Sequence, residues 1–183
     1  MFANFVAFLF NMVTTFIGCL LLLRTYIFYQ RLSIFDPVAR LSWACTNWLV
    51  VPLSQVFRPT QRWEPASIAG AYIMALVVAL VMREVHGLPV DLIMVPLCAV
   101  FVAIRWLLEL VLWGTIIFVI LSWVQPTSPS YAMLWRLTNP FLGPVSRMVP
   151  RIANIDFSPV VVFLVVNCLL YWVAPLSQGY LFM

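Results

Sequence analysis

The residues best placed for chemistry in this sequence are two opposite charges inside an apolar run, Arg105 and Glu109. Their i, i+4 spacing sets both side chains on one helical face, with Trp106 and Trp113 on an adjoining stripe. Charges at such depth are costly in hydrocarbon and ordinarily face a bundle interior or a wet cavity. Two readings follow. One is an ion or proton path with Glu109 as the carrier; the other is an internal salt bridge, with Arg105 snorkelling outward if the helix is long and tilted. Asn11, Thr14, Thr15 and Asn167 are the other polar groups within apolar runs. Asn11 or Asn167 could line a pore, but hydrogen bonding between helices is the commoner use of such residues.

Enzymatic constellations are missing from the sequence. His86 is the single histidine, beside Gly87 at the end of an apolar run, and is expected on the outer surface. No Ser-His-acid set, P-loop or Gly-rich phosphate cradle occurs. Cys19, Cys45, Cys98 and Cys168 have no CxxC spacing, and the three in apolar runs suggest small buried hydrophobes, so neither a disulfide framework nor a zinc site is supported. No cofactor and no enzymatic activity are expected.

The elements that must position these residues follow from composition. The chain has 183 residues, of which 64% are hydrophobic and 9% charged. Soluble domains run at about 45–50% apolar and about 25% charged. One core of this size could not hide so much apolar surface, so hydrocarbon is the solvent for much of the chain. The net charge of +4 comes from ten scattered basic groups, all arginine, which argues against a nucleic-acid partner. An all-arginine set fits recognition of lipid phosphate by planar guanidinium groups, and equally a biased coding sequence.

Four runs are long enough to cross roughly 30 Å of hydrocarbon. They are Met1–Leu23, Pro65–Met82, Leu92–Val124 and Pro159 to about Leu176. The first has no basic n-region or small-residue cleavage site, so a removable signal peptide is not expected. The third, interrupted by Arg105 and Glu109, is long enough to hide a hairpin. An internal repeat decides between the two. A shift of 92 positions aligns Pro37 with Pro129, Trp43 with Trp135, Thr46-Asn47 with Thr138-Asn139, Pro52 with Pro144, Ser54 with Ser146 and Glu64 with Asp156. It also lays Ala3–Arg31 over Val95–Trp123, so the third run is expected to be one long helix, bent at most near Pro96.

The segments between the helices, Asp36–Pro59 and Ser128–Pro150, mix Trp, Leu, Phe and Val with Arg and Pro. That mixture suits short amphipathic helices in the headgroup layer, or a small cytosolic cap of helices packed on each other. The arginines concentrate there: Arg31, Arg40, Arg58 and Arg62 around the first segment, Arg136, Arg147 and Arg151 around the second. The positive-inside rule then places both segments in the cytoplasm and both termini outside. The expected fold is an all-α membrane protein: four transmembrane helices as two parallel repeats, each a helix, an amphipathic interfacial segment and a second helix. The repeats occupy residues 1–83 and 95–183, joined by a periplasmic link at 84–94.

The second interfacial segment also carries a recognisable pattern. Ser122-Trp123-Val124, Leu137-Thr138-Asn139-Pro140-Phe141-Leu142-Gly143-Pro144, Arg147 to Pro150 and Ile155-Asp156-Phe157-Ser158-Pro159 closely resemble the YggT family, also called YlmG. The first half holds a degraded copy in Arg24-Thr25-Tyr26, Asp36-Pro37, Thr46-Asn47, Pro52 and Arg58-Pro59. There Trp48 stands where the family has a proline, and the second half has Ser146 at a position often basic. The resemblance covers almost the whole chain. It implies a bacterial inner-membrane protein without known catalytic activity, whose relatives are linked to osmotic or ionic stress, cell division or cytochrome assembly.

The physics of the motif suggests a re-entry device. Pro140, Pro144 and Pro150 are expected to break the segment into short pieces parallel to the membrane. Asp156 or Ser158 would cap the fourth transmembrane helix, with Pro159 in its first turn. Arg147 and Arg151 are close enough in sequence to pair with Asp156 or with lipid phosphate. The function expected is a scaffold or assembly factor in envelope or ion homeostasis, or osmotic-stress tolerance. Its expected partners are the bilayer, phospholipid headgroups and other membrane proteins or copies of itself. The alternative is an oligomeric ion channel or transport subunit, because four helices with so few polar groups enclose no lumen alone.

Overall fold

A computed structural model describes residues 2–32, 36–58, 60, 63–87, 92–148 and 157–178. The described residues form six helices and no strand: α1 (Phe2–Tyr29), α2 (Pro37–Val56), α3 (Pro65–Val85), α4 (Met94–Val124), α5 (Pro129–Met148) and α6 (Ser158–Gln178). Four of them, α1, α3, α4 and α6, are long and apolar enough to cross a membrane.

The long third run is indeed one helix, of 31 residues. Pro96 falls in its first turn, where a missing N–H costs nothing, so it does not interrupt the α4 ladder. The first helix runs further than its uncharged stretch: α1 continues through Arg24 to Tyr29. It ends in a Schellman turn, with the Leu32 N–H donating to the Ile27 carbonyl and the Arg31 N–H to the Phe28 carbonyl, both at 3.1 Å. Arg31 takes the left-handed position at φ 52°, where glycine is the usual residue. Pro65 opens α3, with Glu64 at its N-cap position.

The two inter-helix segments correct the expectation of short, proline-broken pieces. Each is a single 20-residue helix that passes through its prolines, Pro52 in α2 and Pro140 and Pro144 in α5. In α5 the two prolines are four residues apart and both exposed. The backbone bonds they remove therefore lie on the outer face, while the apolar stripe Met133, Leu134, Leu137 and Leu142 stays buried and continuous. Neither helix simply lies flat across the bundle end. Met133, Leu134 and Leu137 pack in the cluster that holds Phe118 and Leu121 of α4. Leu142, further along α5, packs in the cluster with Leu112 and Leu108. The α5 helix thus runs back along α4, and α2 does the same beside α1, from Ala39 near Ile27 to Val50 near Leu21.

Packing is closest between α4 and α6 and between α1 and α3, and α3 also packs on α4. The α1–α2–α3 and α4–α5–α6 groups meet along α3 and α4, where Ala75, Val78 and Ala79 pack on Val95, Cys98, Ala99 and Val102, and in two further places. At one end Ile27 and Ala39 share a cluster with α5. Deeper in, Gly18 of α1 meets Trp106 of α4 so closely that a Cβ at Gly18 would lie 2.2 Å from the indole ring. The Trp106 indole N–H donates to the Thr15 hydroxyl at 3.3 Å, and the Cys19 thiol donates to the Trp106 carbonyl at 3.4 Å.

Helix lengths differ in a consistent way. The 28 residues of α1 and the 31 of α4 give about 42 and 46 Å. The 21 residues of α3 and of α6 give about 31 Å, which matches the hydrocarbon thickness. The final turns of α1 and α4 therefore rise past the starts of α3 and α6. Their apolar sides are covered by α2 and α5, which is why those segments fold as amphipathic helices.

Candidate functional site

The most elaborate polar arrangement lies where those final turns meet α2 and the start of α3. Arg24, near the end of α1, donates from Nε to Glu64 Oε2 and from Nη2 to Glu64 Oε1, each at 2.8 Å. The third corner of the guanidinium, Nη1, donates to Asn47 Oδ1 at 2.7 Å and Thr46 Oγ1 at 3.2 Å. Its planar face sits 5.1 Å from the Trp43 ring. The Ser67 hydroxyl donates to Glu64 Oε2 at 2.7 Å. The carboxylate also sits at the N-terminus of α3, whose unpaired N–H groups favour negative charge. Both charged side chains are buried, at 7% and 11% exposure. A bidentate pair out of water is sustainable only when its remaining donors and lone pairs are used, and here Thr46, Asn47 and Ser67 use them.

In the sequence Trp43, Thr46, Asn47 and Glu64 stand out as part of the repeat, and Arg24 as part of the degraded motif copy. None of Arg24, Trp43, Thr46, Asn47, Glu64 and Ser67 is an expected site residue. The available signal was Arg24 beside an apolar run together with Glu64 aligning on Asp156, but forty residues and an intervening helix separate the two charges.

The Arg105–Glu109 pair is present as an i, i+4 salt bridge, Nε to Oε1 at 2.8 Å, with side chains 22% and 16% exposed. It lies within α4 and does not connect helices. Arg105 lines a groove of about 780 Å³ between α1 and α4, with Asn11, Thr15 and Cys19 opposite and Leu137, Thr138 and Phe141 at its α5 end. The expectation that Asn11 or Asn167 joins helices is not met. The Asn167 amide donates to the Phe163 carbonyl of its own helix, and the Asn11 side chain lines the groove. The interhelical polar contact is made by Thr15 instead, because Trp106 reaches it over Gly18.

The motif residues of the second half spread over two helices. Thr138 is buried and donates to the Leu134 carbonyl at 2.8 Å, while Asn139, Pro140, Pro144 and Arg147 are exposed on α5. Ser158 is buried and is the first residue of α6, so the cap position falls to Phe157, and Pro159 lies in the first turn. Pro150, Arg151 and Asp156 lie outside the described residues, and with them the capping role and arginine pairing expected of Asp156. His86 follows α3, exposed, with Nδ1 2.6 Å from the Met82 carbonyl. Arg83, one turn earlier, is buried against Cys98 of α4.

At the other end, near the last turn of α1, a hydrogen bond from α1 to α5 ties the two halves together. The Tyr26 hydroxyl donates to the Leu137 carbonyl at 3.0 Å and accepts from Gln30 Nε2 at 2.7 Å. Arg31, Arg40, Arg58, Arg136 and Arg147 are exposed, as are Trp48 and Trp135.

Residues 97–177 match the CCB3/YggT family model. The chain is 27% identical to the uncharacterized protein YggT of Escherichia coli strain K12 over 178 residues, covering 96% of this chain and 93% of that protein. It is 26% identical over 149 residues to an uncharacterized protein in the proC 3' region of Vibrio alginolyticus, covering 78% of this chain and 79% of that protein. An uncharacterized protein of Haemophilus influenzae is 24% identical over 147 residues, covering 79% and 78% of the two chains. No solved structure matches the chain.

Proposed function

Because the chain is a YggT-family membrane protein, we infer that it serves as a non-enzymatic scaffold or assembly factor, built as two parallel repeats in the bacterial inner membrane. The observation that carries this reading is the rigid surface made by α2 and α5. Arg40, Arg136 and Arg147 with Trp48 and Trp135 are exposed on these helices, Arg31 and Arg58 are exposed just past the ends of α1 and α2, and the Arg24–Glu64 cluster fixes α2 between α1 and α3. Guanidinium groups and indole rings together suit the phosphate and ester layers of a membrane or the juxtamembrane part of a partner. Arginine-rich loops stay on the cytoplasmic side, so this surface faces the cytoplasm and both termini the periplasm.

Support for the repeats comes from equivalent placement. Thr46 and Thr138 are both buried and both bond back to a carbonyl one turn earlier, and Trp43 and Trp135 lie three residues before them. The first half holds a guanidinium at Thr46-Asn47, whereas Ile116 stands 92 residues after Arg24. The two halves therefore share a frame and differ in charge, which fits one half specialised for rigidity and the other for contact.

The test has two arms. Purification in mild detergent should retain a defined protein complex, and vesicles rich in anionic phospholipid should bind the protein less well after Arg136→Ala and Arg147→Ala. Potassium or proton flux into vesicles holding this protein alone would instead favour a channel. Osmotic-stress tolerance in a deletion strain, restored by the native chain and not by the arginine variants, would connect the surface to physiology.

A further inference from the structure

We propose that the groove between α1 and α4 binds the head ring of a lipid-soluble quinone, with Arg105 and Asn11 donating hydrogen bonds to its carbonyl oxygens. The groove holds about 780 Å³ and is mostly apolar, walled by Phe16 and Trp113. Both aromatic side chains are more than half exposed, at 56% and 58%.

Two polar groups in this apolar setting lack partners. Arg105 uses Nε on Glu109, and its two terminal amino groups make no hydrogen bond among the described residues. The Asn11 side-chain amide makes none either. Among the described residues no fully buried side-chain nitrogen or oxygen is left unpaired, so these free donors must be accessible, and the groove is the space they line. Unpaired donors in hydrocarbon are costly, which favours an occupant that carries acceptors.

Charge and depth select the kind of occupant. Arg105 is already neutralised by Glu109, so a neutral acceptor is favoured over a carboxylate or phosphate, which would add an uncompensated charge. Arg105 and Asn11 lie about 17 and 14 Å from the starts of their helices, well inside the hydrocarbon. Phospholipid ester carbonyls stay at the boundary of that layer. A quinone ring dissolves within it, offers a carbonyl on each side, and has a flat face for Phe16 and Trp113 to stack on. Its apolar tail would leave through the side of the groove open to lipid.

The experiment is photolabelling of the purified full-length protein in mild detergent with a short-tailed azido-ubiquinone. Label is expected on peptides of α1 and α4, displaced by decylubiquinone and not by palmitate or dioleoylglycerol. The paired substitution Arg105→Met with Glu109→Met removes the Arg105 donors without stranding a charge, and labelling should fall about tenfold, the worth of a hydrogen bond to a charged group. Gly114→Leu fills the groove without touching the ion pair, since a Cβ there meets only Thr138 Cγ2 at 3.9 Å, and should reduce labelling as well. Label that decylubiquinone fails to displace, or that palmitate or dioleoylglycerol displaces equally, overturns the proposal. So does undiminished labelling in both variants. Should either variant fail to fold, displacement on the native protein decides alone.

Discussion

The Arg24 guanidinium and the Glu64 carboxylate meet through two hydrogen bonds of 2.8 Å, one from Nε and one from Nη2. This geometry needs a planar fork, so Arg24→Lys should not replace it, although charge is kept. Arg24→Ala or Glu64→Ala strands a buried partner and should cost about 3–5 kcal/mol. Arg24→Met combined with Glu64→Met should recover most of that loss. Thermal unfolding in detergent checks the order; a double variant no better than either single one would show that the charges themselves hold the helices.

Gly18 has no room for a side chain. A Cβ would sit 2.2–2.5 Å from three carbons of the Trp106 ring, so α1 and α4 would have to separate. Gly18→Ala should destabilise by about 1–3 kcal/mol, the range for overpacking, and Trp106→Leu in the same chain should relieve it. Non-additive unfolding midpoints in this double-mutant cycle would register the contact.

Tyr26→Phe removes the donor to the Leu137 carbonyl and the acceptor for Gln30 while keeping the ring beside Phe141, 6.1 Å away between centroids. The expected cost is about 1 kcal/mol. Hydrogen exchange of α5 amides should accelerate more than that of α3 amides, because the lost bond joins α1 to α5.

Arg31→Gly acts in the opposite direction. Arg31 occupies φ 52° at the end of α1, a conformation that costs an L-residue about 1 kcal/mol and glycine almost nothing. The variant should be more stable by about 0.5–1 kcal/mol, read as a raised unfolding temperature in detergent.

The sequence makes the four long helices legible because apolar length is a one-dimensional property. The unity of α4 is legible too, because the 92-residue shift lays the first helix over it. What escaped was governed by packing. An apolar run is naturally closed at its first charge, yet α1 continues through Arg24 because Glu64, Thr46 and Asn47 receive that charge from other elements. Prolines are naturally read as breaks, yet Pro140 and Pro144 share the exposed face of α5, so its buried stripe holds the helix together. Arg105 and Glu109 were legible as a pair from spacing alone. That Asn11 shares a groove with Arg105 required knowing how α1 crosses α4 at Gly18.

The unequal helix lengths bear on the shape of the surrounding bilayer. Toward the ends of α3 and α6 four helices make up the section, whereas at the level of Leu21, Val50 and Ala66, and of Leu112, Leu142 and Val162, all six helices lie side by side. The cross-section is therefore broader toward one leaflet than the other, and the molecule is a wedge. Lipids packed around a wedge tilt to follow its sides, so many copies together would bend a flat membrane, and a curved membrane would gather them.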